Sequence, residues 1–579
     1  MLSASTQISR VRQLQQAFSV LALLNINSNI YPEDATVSSG DMFDYVVVGG
    51  GTAGLVVTTR LVEANYSVLV IEAGDIPGVE SLNPGLVQYI KNSRIDWNYT
   101  SELNCRTDSC LKADGGSFYG RGIGGTGILN YMIYGRGNER DYHNFSEATG
   151  DPSWEYKNML KYFKKSEKLK NKEILNSRFG QFHGTKGEIG ITQEDRPFID
   201  KYLKGFEEAG EKVVIDNVGP GKGLGYSRCL YTIFNGKRND AGSEYLNSIK
   251  DNPKLYVTRN SLATKIIFDK DRNAIGVEFV KHEKRITVRA KREILVTAGP
   301  VKSPQLLMLS GIGPKEELQR MKINVLSNLP VGKSLQCVVG AFIDFKTNIK
   351  ANPPPFDPSR LPAPIILGYS AVNKSSEFPD YETQNFIIDD PAYFLTLCSF
   401  TLKLKNCICD RLLESSNNTQ MMVSILLNIN SKSRGSVSLR STDPNDEPII
   451  EYGFYDNEDD LNEMITNLQH YTKIENTPYF QDLGLEFMEP TPDCRKHEFG
   501  SRKYWRCYAL CMIALTGRTA STCAMGSVVD TNLRVYGVNK LRVIGSTVMP
   551  NTLGGSIFAP EVALAEKAAE MIVNDRICT

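Results

Sequence analysis

Histidine is scarce in this chain of 579 residues, which contains five, and none follows His497. Neither sign of charge is in excess, because 66 Lys and Arg residues balance 66 Asp and Glu residues. A net charge of zero gives no reason to expect a nucleic acid or an anionic membrane as partner. The chain also lacks an apolar run of the roughly 20 residues that a membrane-spanning helix needs. We therefore expect a globular protein of two or more structural units whose partner is a small molecule.

Metal-binding spacing is missing among the twelve cysteines. No two of them have the CxxC spacing of a zinc site followed by a second half, so we expect no bound metal. Cys105 with Cys110 and Cys494 with Cys507 are instead candidate disulfide pairs. Twelve cysteines in a chain this long support an oxidising compartment only loosely, because reduced core thiols are also compatible with that number.

A short apolar run at residues 17–24 follows Arg10 and Arg12 and has the length of a signal-peptide core. Its lead of sixteen residues is long and no clear cleavage site follows, so a buried N-terminal helix is the alternative. The chain carries five Asn-x-Ser/Thr acceptor sites, at Asn65, Asn98, Asn144, Asn373 and Asn417. We predict a secreted glycoprotein in which residues 1–40 form a signal-like or N-terminal segment.

The most informative stretch is an apolar run that leads into the pattern Gly49-x-Gly51-x-x-Gly54. A helical segment, a second apolar strand and Glu72, 18 residues after Gly54, complete a dinucleotide-binding βαβ unit. Gly49 allows the tight turn, Gly51 lets the backbone approach a pyrophosphate, and Gly54 lets the helix pack on the strand. The unit predicts these cofactor-binding residues: Gly49, Gly51, Thr52, Ala53, Gly54 and Glu72.

The acid at the end of this unit narrows the choice of cofactor. Glu72 can accept hydrogen bonds from an adenosine ribose, which favours a free 2′-hydroxyl and disfavours NADP. The motif alone does not separate FAD from NAD.

Apolar strands that suit the same sheet recur far along the chain, at residues 293–299 and 541–546. The alternating pattern at residues 435–440 is instead typical of an antiparallel strand with one exposed face. We predict an α/β protein with a Rossmann-like cofactor domain assembled from separated segments, residues 41–145, 215–330 and 520–579. The inserted α+β substrate domain, with an antiparallel sheet, takes residues 146–214 and 331–519.

Four further blocks resemble one known family. Residues 120–137, GRGIGGTGILNYMIYGRG, and residues 299–313, GPVKSPQLLMLSGIG, resemble the two signatures of the glucose-methanol-choline (GMC) oxidoreductases. Residues 154–167 and 529–543 resemble further family blocks, in the family's order. The resemblance covers roughly residues 43–572 and favours the insect branch, which includes glucose dehydrogenases and ecdysone oxidases.

This resemblance implies that the cofactor is FAD. By the same resemblance, the flavin side of the site is lined by Arg121, Gly125, Thr126 and Asn130, and two further cofactor-binding positions are Ala298 and Gly545. At residue 545 the family has an aspartate that contacts the ribityl-pyrophosphate side of the cofactor, so the glycine is a departure from the pattern.

The two catalytic positions also depart from the family. Its general base is a histidine in a His-x-x-Gly-Thr-Cys-x-Met-Gly context, and the matching segment here begins with Arg518. The second position, His or Asn in the family, is Ser556. Arginine stays protonated at neutral pH, so Arg518 cannot accept a proton, although its charge suits an alkoxide or a carboxylate.

Three functions remain open from the sequence. The first is FAD-dependent oxidation of a CH-OH group to a carbonyl, with a steroid such as ecdysone as one substrate class. The second is non-redox chemistry on the same scaffold, as in a lyase or an anion-binding flavoprotein. The third is a catalytically silent FAD-binding protein.

Overall fold

The computed structural model describes residues 3–23, 28–102, 107, 109–112, 117–219 and 221–575. Over these residues the chain builds two seven-stranded sheets, each with its own hydrophobic core. The strands, in chain order, are β1 (Met42–Val48), β2 (Val68–Ile71), β3 (Glu167–Leu169), β4 (Ile189–Gln193), β5 (Gly225–Arg228), β6 (Leu230–Tyr231), β7 (Ile233–Phe234), β8 (Lys237–Arg238), β9 (Leu255–Thr258), β10 (Ser261–Phe268), β11 (Ala274–Lys281), β12 (Lys284–Val296), β13 (Ile312–Gly313), β14 (Ser327–Asn328), β15 (Gln336–Lys350), β16 (Ile365–Ser370), β17 (Tyr381–Ile388), β18 (Thr419–Asn428), β19 (Ser436–Ser438), β20 (Ile449–Glu451), β21 (Glu486–Phe487), β22 (Ile513–Ala520) and β23 (Leu541–Val543).

The α-helices cover the faces and edges of these sheets. In chain order they are α1 (Ala4–Leu23), α2 (Thr52–Glu63), α3 (Val79–Leu82), α4 (Glu139–Thr149), α5 (Tyr156–Ser166), α6 (Lys172–Asn176), α7 (Ile199–Glu208), α8 (Gly299–Leu309), α9 (Lys315–Arg320), α10 (Pro391–Leu395), α11 (Asn406–Ser415), α12 (Glu458–Tyr471), α13 (Pro478–Asp482), α14 (Arg502–Cys511) and α15 (Phe558–Asn574). None of the described helices is long and apolar enough to cross a membrane.

The first sheet has the strand order β10-β11-β12-β1-β2-β9, and β23 pairs with the carboxyl-terminal end of β12. Strand β1 lies between β12 and β2 and is parallel to both, which explains its continuous run of valines, because a central parallel strand is buried on both faces. Val48 is level with Ile71 and Val296, so the three strands end together. The carboxyl edge of parallel strands is where ligands of open α/β sheets bind.

The second sheet is antiparallel, with the order β21-β15-β18-β17-β16-β5 and with β22 also paired to β15. All eight residues of β17 are buried, so both faces of this sheet are covered at its centre. Together the two sheets confirm the predicted α/β architecture with an inserted antiparallel sheet. Strand β5 lies in the segment 215–330 that we predicted for the cofactor domain, but it pairs with β16 in the second sheet.

The N-terminal segment forms helix α1 and contacts the rest of the chain. Ala4 and Val11 are buried, the Ala4 N–H donates to Asp410 Oδ1 at 2.7 Å, and Gln7 Nε2 donates to Thr396 Oγ1 at 3.2 Å. The apolar run that suggested a signal peptide is less enclosed, since Val20 is 64% exposed. These contacts are those expected of a packed N-terminal helix, the alternative to a signal peptide. The signal peptide stays a prediction.

Three disulfides are present among the described residues. Cys494 is bonded to Cys507, as the sequence indicated. The proposed partner of Cys110 was wrong, because Cys110 is bonded to Cys511, 401 residues away, and Cys105 lies outside the described residues. We paired Cys105 with Cys110 because they are close in the sequence. The fold instead packs α14, which ends at Cys511, against the segment that contains Cys110. The third bond joins Cys398 to Cys409.

Candidate active site

The glycine turn after β1 has the geometry that a phosphate-binding turn needs. Gly49 has φ +110°, and a Cβ on Gly54 would lie 2.1 Å from the Gly49 carbonyl oxygen, so α2 packs directly on the turn. Gly51 differs, because a Cβ there would meet no protein atom closer than 3.6 Å. The space beside Gly51 is therefore open toward the cleft, at the N-terminus of α2, where unpaired N–H groups favour an anion.

A second glycine-rich segment, residues 120–127, closes over the first. The Gly124 N–H donates to the Gly50 carbonyl at 2.8 Å, and Gly51 pairs with Gly124 in an isolated bridge. Thr126 Oγ1 accepts from the Gly120 N–H at 3.2 Å, which fixes the loop. Motifs that lie about 70 residues apart in the sequence thus form one wall of a single cleft.

Glu72 joins the end of β2 to the glycine turn. Its Oε2 accepts from the Gly50 N–H at 2.8 Å, and its Oε1 accepts from the Gly74 N–H at 2.7 Å. Burial raises the pKa of Glu72, and these backbone donors oppose that shift. The predicted ribose-binding acid therefore also holds the turn in place, a role that the motif did not reveal.

The cofactor cleft is the elongated cavity along this edge of the first sheet. Its lining includes Gly49, Gly51, Thr52, Glu72, Trp97, Gly125, Thr126, Ala298, Lys302, Gly517, Ser546, Ile557 and Glu561. Burial, and then the nearby Arg121, lower the pKa of Lys302 to about 8. The Lys302 Nζ and Arg121 Cζ atoms lie 5.0 and 4.9 Å from the centre of the Trp97 ring, and no sequence motif indicated this cationic cluster.

Five predicted cofactor residues do not line this cleft directly, and one of them, Asn130, lines the second cavity described below. Ala53 and Gly54 are buried within α2, and Gly545 precedes Ser546, which does line the cleft. Arg121 contacts Trp97 instead.

The side chamber is a second cavity that adjoins the cleft. Its wall is mainly apolar and includes Phe118, Tyr131, Ile133, Phe386, Leu397, Leu402, Ile425, Leu515 and Phe558. Its polar lining includes Asn130, Gln384, Arg518 and Ser556. Asn130, predicted at the flavin side, therefore lies in the chamber, where its Oδ1 accepts from Arg238 Nη1 at 2.7 Å. Thr52, Thr126, Gly517, Ile557 and Glu561 line both cavities.

Arg518 is placed in the chamber wall by an irregularity in β22. Thr519 pairs with Cys337 and Leu515 with Val339, so the three residues 516–518 lie opposite the single residue Val338. Gly517 within this bulge has φ +70°. Bulges beside active sites commonly redirect a side chain, and here the redirected residue is Arg518.

The guanidinium of Arg518 contacts a carboxylate of β17, a strand that β15 and β18 separate from β22 in the sheet. Its Nη1 and Nη2 donate to the two oxygens of Glu382, each at 2.6 Å, and Gln384 Nε2 donates to Glu382 Oε1 at 2.8 Å. Both partners are buried. Burial acts to lower the pKa of Arg518, but the Glu382 charge outweighs it, so the pKa is raised. Arg518 is thus a fixed, neutralised cation.

Glu382 was missed by sequence reasoning because it belongs to no motif. The available signal was its position, since it is an acid within the fully buried strand β17. Buried carboxylates are found paired, which makes such a residue a reason to look for a basic partner.

Comparison with known proteins relates the chain to one enzyme family. GMC oxidoreductase family models match residues 43–339 and 431–565. The chain is 33% identical to an ecdysone oxidase of Spodoptera littoralis over 94% of this chain and 93% of the relative. It is 30% identical to the FAD- and quinone-dependent glucose dehydrogenase of Drosophila melanogaster over 92% of this chain and 86% of the relative.

Solved structures share the fold. A formate oxidase superposes with a TM-score of 0.81 at 23% identity, covering 93% of this chain and 99% of that one. Pyridoxine 4-oxidase from Mesorbium loti gives a TM-score of 0.78, also at 23% identity, covering 91% and 98%. At this identity the likeness concerns the fold.

The cleft fits FAD, the cofactor of this chain. Gly51 leaves room for a pyrophosphate beside the α2 N-terminus, Glu72 offers a carboxylate to a ribose, and the cleft continues to the side chamber. The glycine turns, the cleft and the family models lead to one conclusion: the chain belongs to the GMC oxidoreductase family.

Proposed function

We propose that the protein oxidises the CH-OH group of an apolar, ring-sized alcohol to a carbonyl. The observation that supports this most is the junction of the two cavities, where five residues line both the cofactor cleft and the side chamber. A substrate in the chamber then lies beside the cofactor. Bound FAD supplies the two-electron acceptor, and the chain positions the alcohol and excludes water.

The chamber's chemistry supports an apolar substrate over a sugar. Aromatic and aliphatic side chains dominate its wall, and the charge of Arg518 in that wall is neutralised by Glu382. A sugar would need several hydrogen-bonding partners for its hydroxyls. Similarity to the ecdysone oxidases favours a steroid alcohol.

The proposed reaction lacks the family's proton acceptor at residue 518. Arg518 is protonated and bound to Glu382, and Ser556 is a weak substitute for His or Asn. Loss of a general base costs about 10²- to 10⁴-fold in rate. We therefore propose slow alcohol oxidation as the activity of the native chain.

The second candidate is binding of an apolar ligand beside FAD without turnover. The Arg518–Glu382 pair favours it, because both terminal nitrogens of the guanidinium already meet a carboxylate. The same pair argues against the anion-binding form of the non-redox hypothesis.

Anaerobic titration separates these functions. The FAD-loaded protein is mixed with ecdysone, with a simpler steroid alcohol and with glucose, and flavin absorbance is followed. Slow bleaching by the steroid alcohols but not by glucose supports the proposal. A shifted spectrum without bleaching supports ligand binding alone, and bleaching by glucose only would refute the apolar substrate class.

We further propose that the protein works in an oxidising, extracellular compartment. Three disulfides and five acceptor sites for glycosylation support this. Expression in insect cells tests it, since secreted, glycosidase-sensitive protein is expected. Unglycosylated protein retained in the cytosol would contradict it.

A further inference from the structure

Glu561 occupies a distinctive position between the two cavities. It follows Pro560 in the first turn of α15 and lines both the cofactor cleft and the side chamber. Of the five described residues that line both, it is the one with an ionisable carboxyl group. The other ionisable groups used above are confined to one cavity: Glu72 and Lys302 to the cleft, and Arg518 to the chamber.

The backbone at residue 545 makes room for this carboxyl group. Gly545 has φ +126° and ψ −170°, a conformation that is open essentially to glycine alone. A Cβ there would lie 2.9 Å from Glu561 Oε1. A side chain at residue 545 would therefore need another backbone conformation and a displaced Glu561, whose carboxyl group borders the space left open.

Glu561 is poorly satisfied by the protein itself. Within the described residues it forms no ion pair, and its hydrogen bond from the Ser546 N–H is long, at 3.4 Å. Burial raises the pKa of Glu561 to about 7, and the Ser546 donor opposes the shift. A carboxyl group held in a cleft without a cation needs hydrogen-bond donors from another source.

Only the riboflavin half of FAD can bring such donors to Glu561. The pyrophosphate is anionic and belongs at the glycine turn, where the α2 N-terminus favours a negative charge. The adenosine ribose belongs at Glu72. The amino group of adenine belongs to the same end as that ribose. The hydroxyl and N–H donors that remain are on the riboflavin half, which has to reach the junction with the side chamber.

We propose that Glu561 binds the riboflavin half of FAD, its carboxyl group accepting hydrogen bonds from hydroxyl or N–H donors of that half. The proposal depends on FAD as cofactor and not on any particular substrate. It also accounts for Gly545: the carboxyl group that glycine at that position does not supply comes from α15.

The test compares FAD with ADP, which lacks the riboflavin half. Flavin-free full-length protein is prepared for wild type and for Glu561→Ala, and both affinities are measured by calorimetry. Loss of a hydrogen bond to a charged group predicts FAD affinity lower by about 10- to 100-fold. ADP affinity should stay within about twofold. Glu570→Ala, on the exposed side of the same helix, is the matched control and should change neither affinity.

The remaining outcomes each decide the question. Glu72→Ala should weaken FAD and ADP alike, which shows that the assay detects a defect at the adenosine end. Unchanged FAD affinity in Glu561→Ala, or equal losses for FAD and ADP, would overturn the proposal. If the alanine variant does not fold, Glu561→Gln carries the test, with an expected FAD-specific loss of about three- to tenfold because the amide retains one acceptor. Absence of that loss would equally overturn it.

Discussion

Arg518 and Glu382 illustrate how one buried charge determines which group its surroundings must provide. An arginine in the chamber wall would be an uncompensated buried charge without a carboxylate, and β17 supplies one with both oxygens engaged. Such pairs add little net stability, but removal of one partner is costly because the other charge is left buried. A substitution of Arg518 by histidine therefore has to take the unpaired Glu382 into account.

We expect Arg518→His to destabilise the protein by about 3–5 kcal/mol, because Glu382 then lacks its partner. Denaturant unfolding of the flavin-free protein measures this. Arg506→His is the matched control, since the Arg506–Glu458 pair is exposed and its loss should cost less than about 1 kcal/mol. Adding Glu382→Gln to Arg518→His should recover most of the loss. Equal effects of the two arginine substitutions would contradict the inferred role of burial.

At the scale of elements, the unit β1-turn-α2-β2 was predictable because all its parts are local. A buried parallel strand, the glycine spacing and the acid each leave a sequence signature, and the predicted helical segment is α2. The pairing of Arg518 with Glu382 was not predictable, since it depends on the bulge in β22 and on the position of β17, two strands beyond β15 in the same sheet. Pairing across the second sheet follows from long-range topology, which motifs do not encode.

Gly51 and Gly54 should respond differently to substitution. Gly51→Val should fold but lose FAD, because φ at residue 51 is −84° and the added atoms project into the space reserved for the pyrophosphate. Gly54→Val should instead impair folding, because its Cβ would collide with the Gly49 carbonyl. Flavin content and thermal unfolding of both variants provide the measurement. A flavin-replete Gly51→Val protein would contradict the assignment of this space.

At the scale of the whole molecule, disulfides join segments that the sequence separates widely. Cys110–Cys511 closes a loop of 401 residues, whereas Cys398–Cys409 closes one of 11. Local spacing indicated Cys494–Cys507 correctly, but it misled for Cys110, because that bond depends on how distant parts of the chain pack together.

The longer loop should matter more for stability. In the chain-entropy account, the bond that closes the 401-residue loop constrains the unfolded chain by about 3 kcal/mol more than the bond that closes the 11-residue loop. We therefore expect Cys110→Ala with Cys511→Ala to lower the unfolding midpoint further than Cys398→Ala with Cys409→Ala. Oxidised wild-type protein is the reference for both. The reverse order would show that native-state packing at Cys398–Cys409 outweighs loop entropy.

We propose that an intact FAD site lies beside the side chamber, where Arg518 stands in place of the family's proton acceptor. The most direct measurement compares anaerobic flavin reduction by one steroid alcohol in wild type and in the triple variant Arg518→His, Ser556→Asn, Glu382→Gln, at matched FAD occupancy. The triple variant restores a neutral base and removes the unpaired acid, so flavin reduction should be faster by about 10²-fold or more. Wild-type reduction as fast as that of the triple variant would show that another group accepts the proton, and would contradict the account.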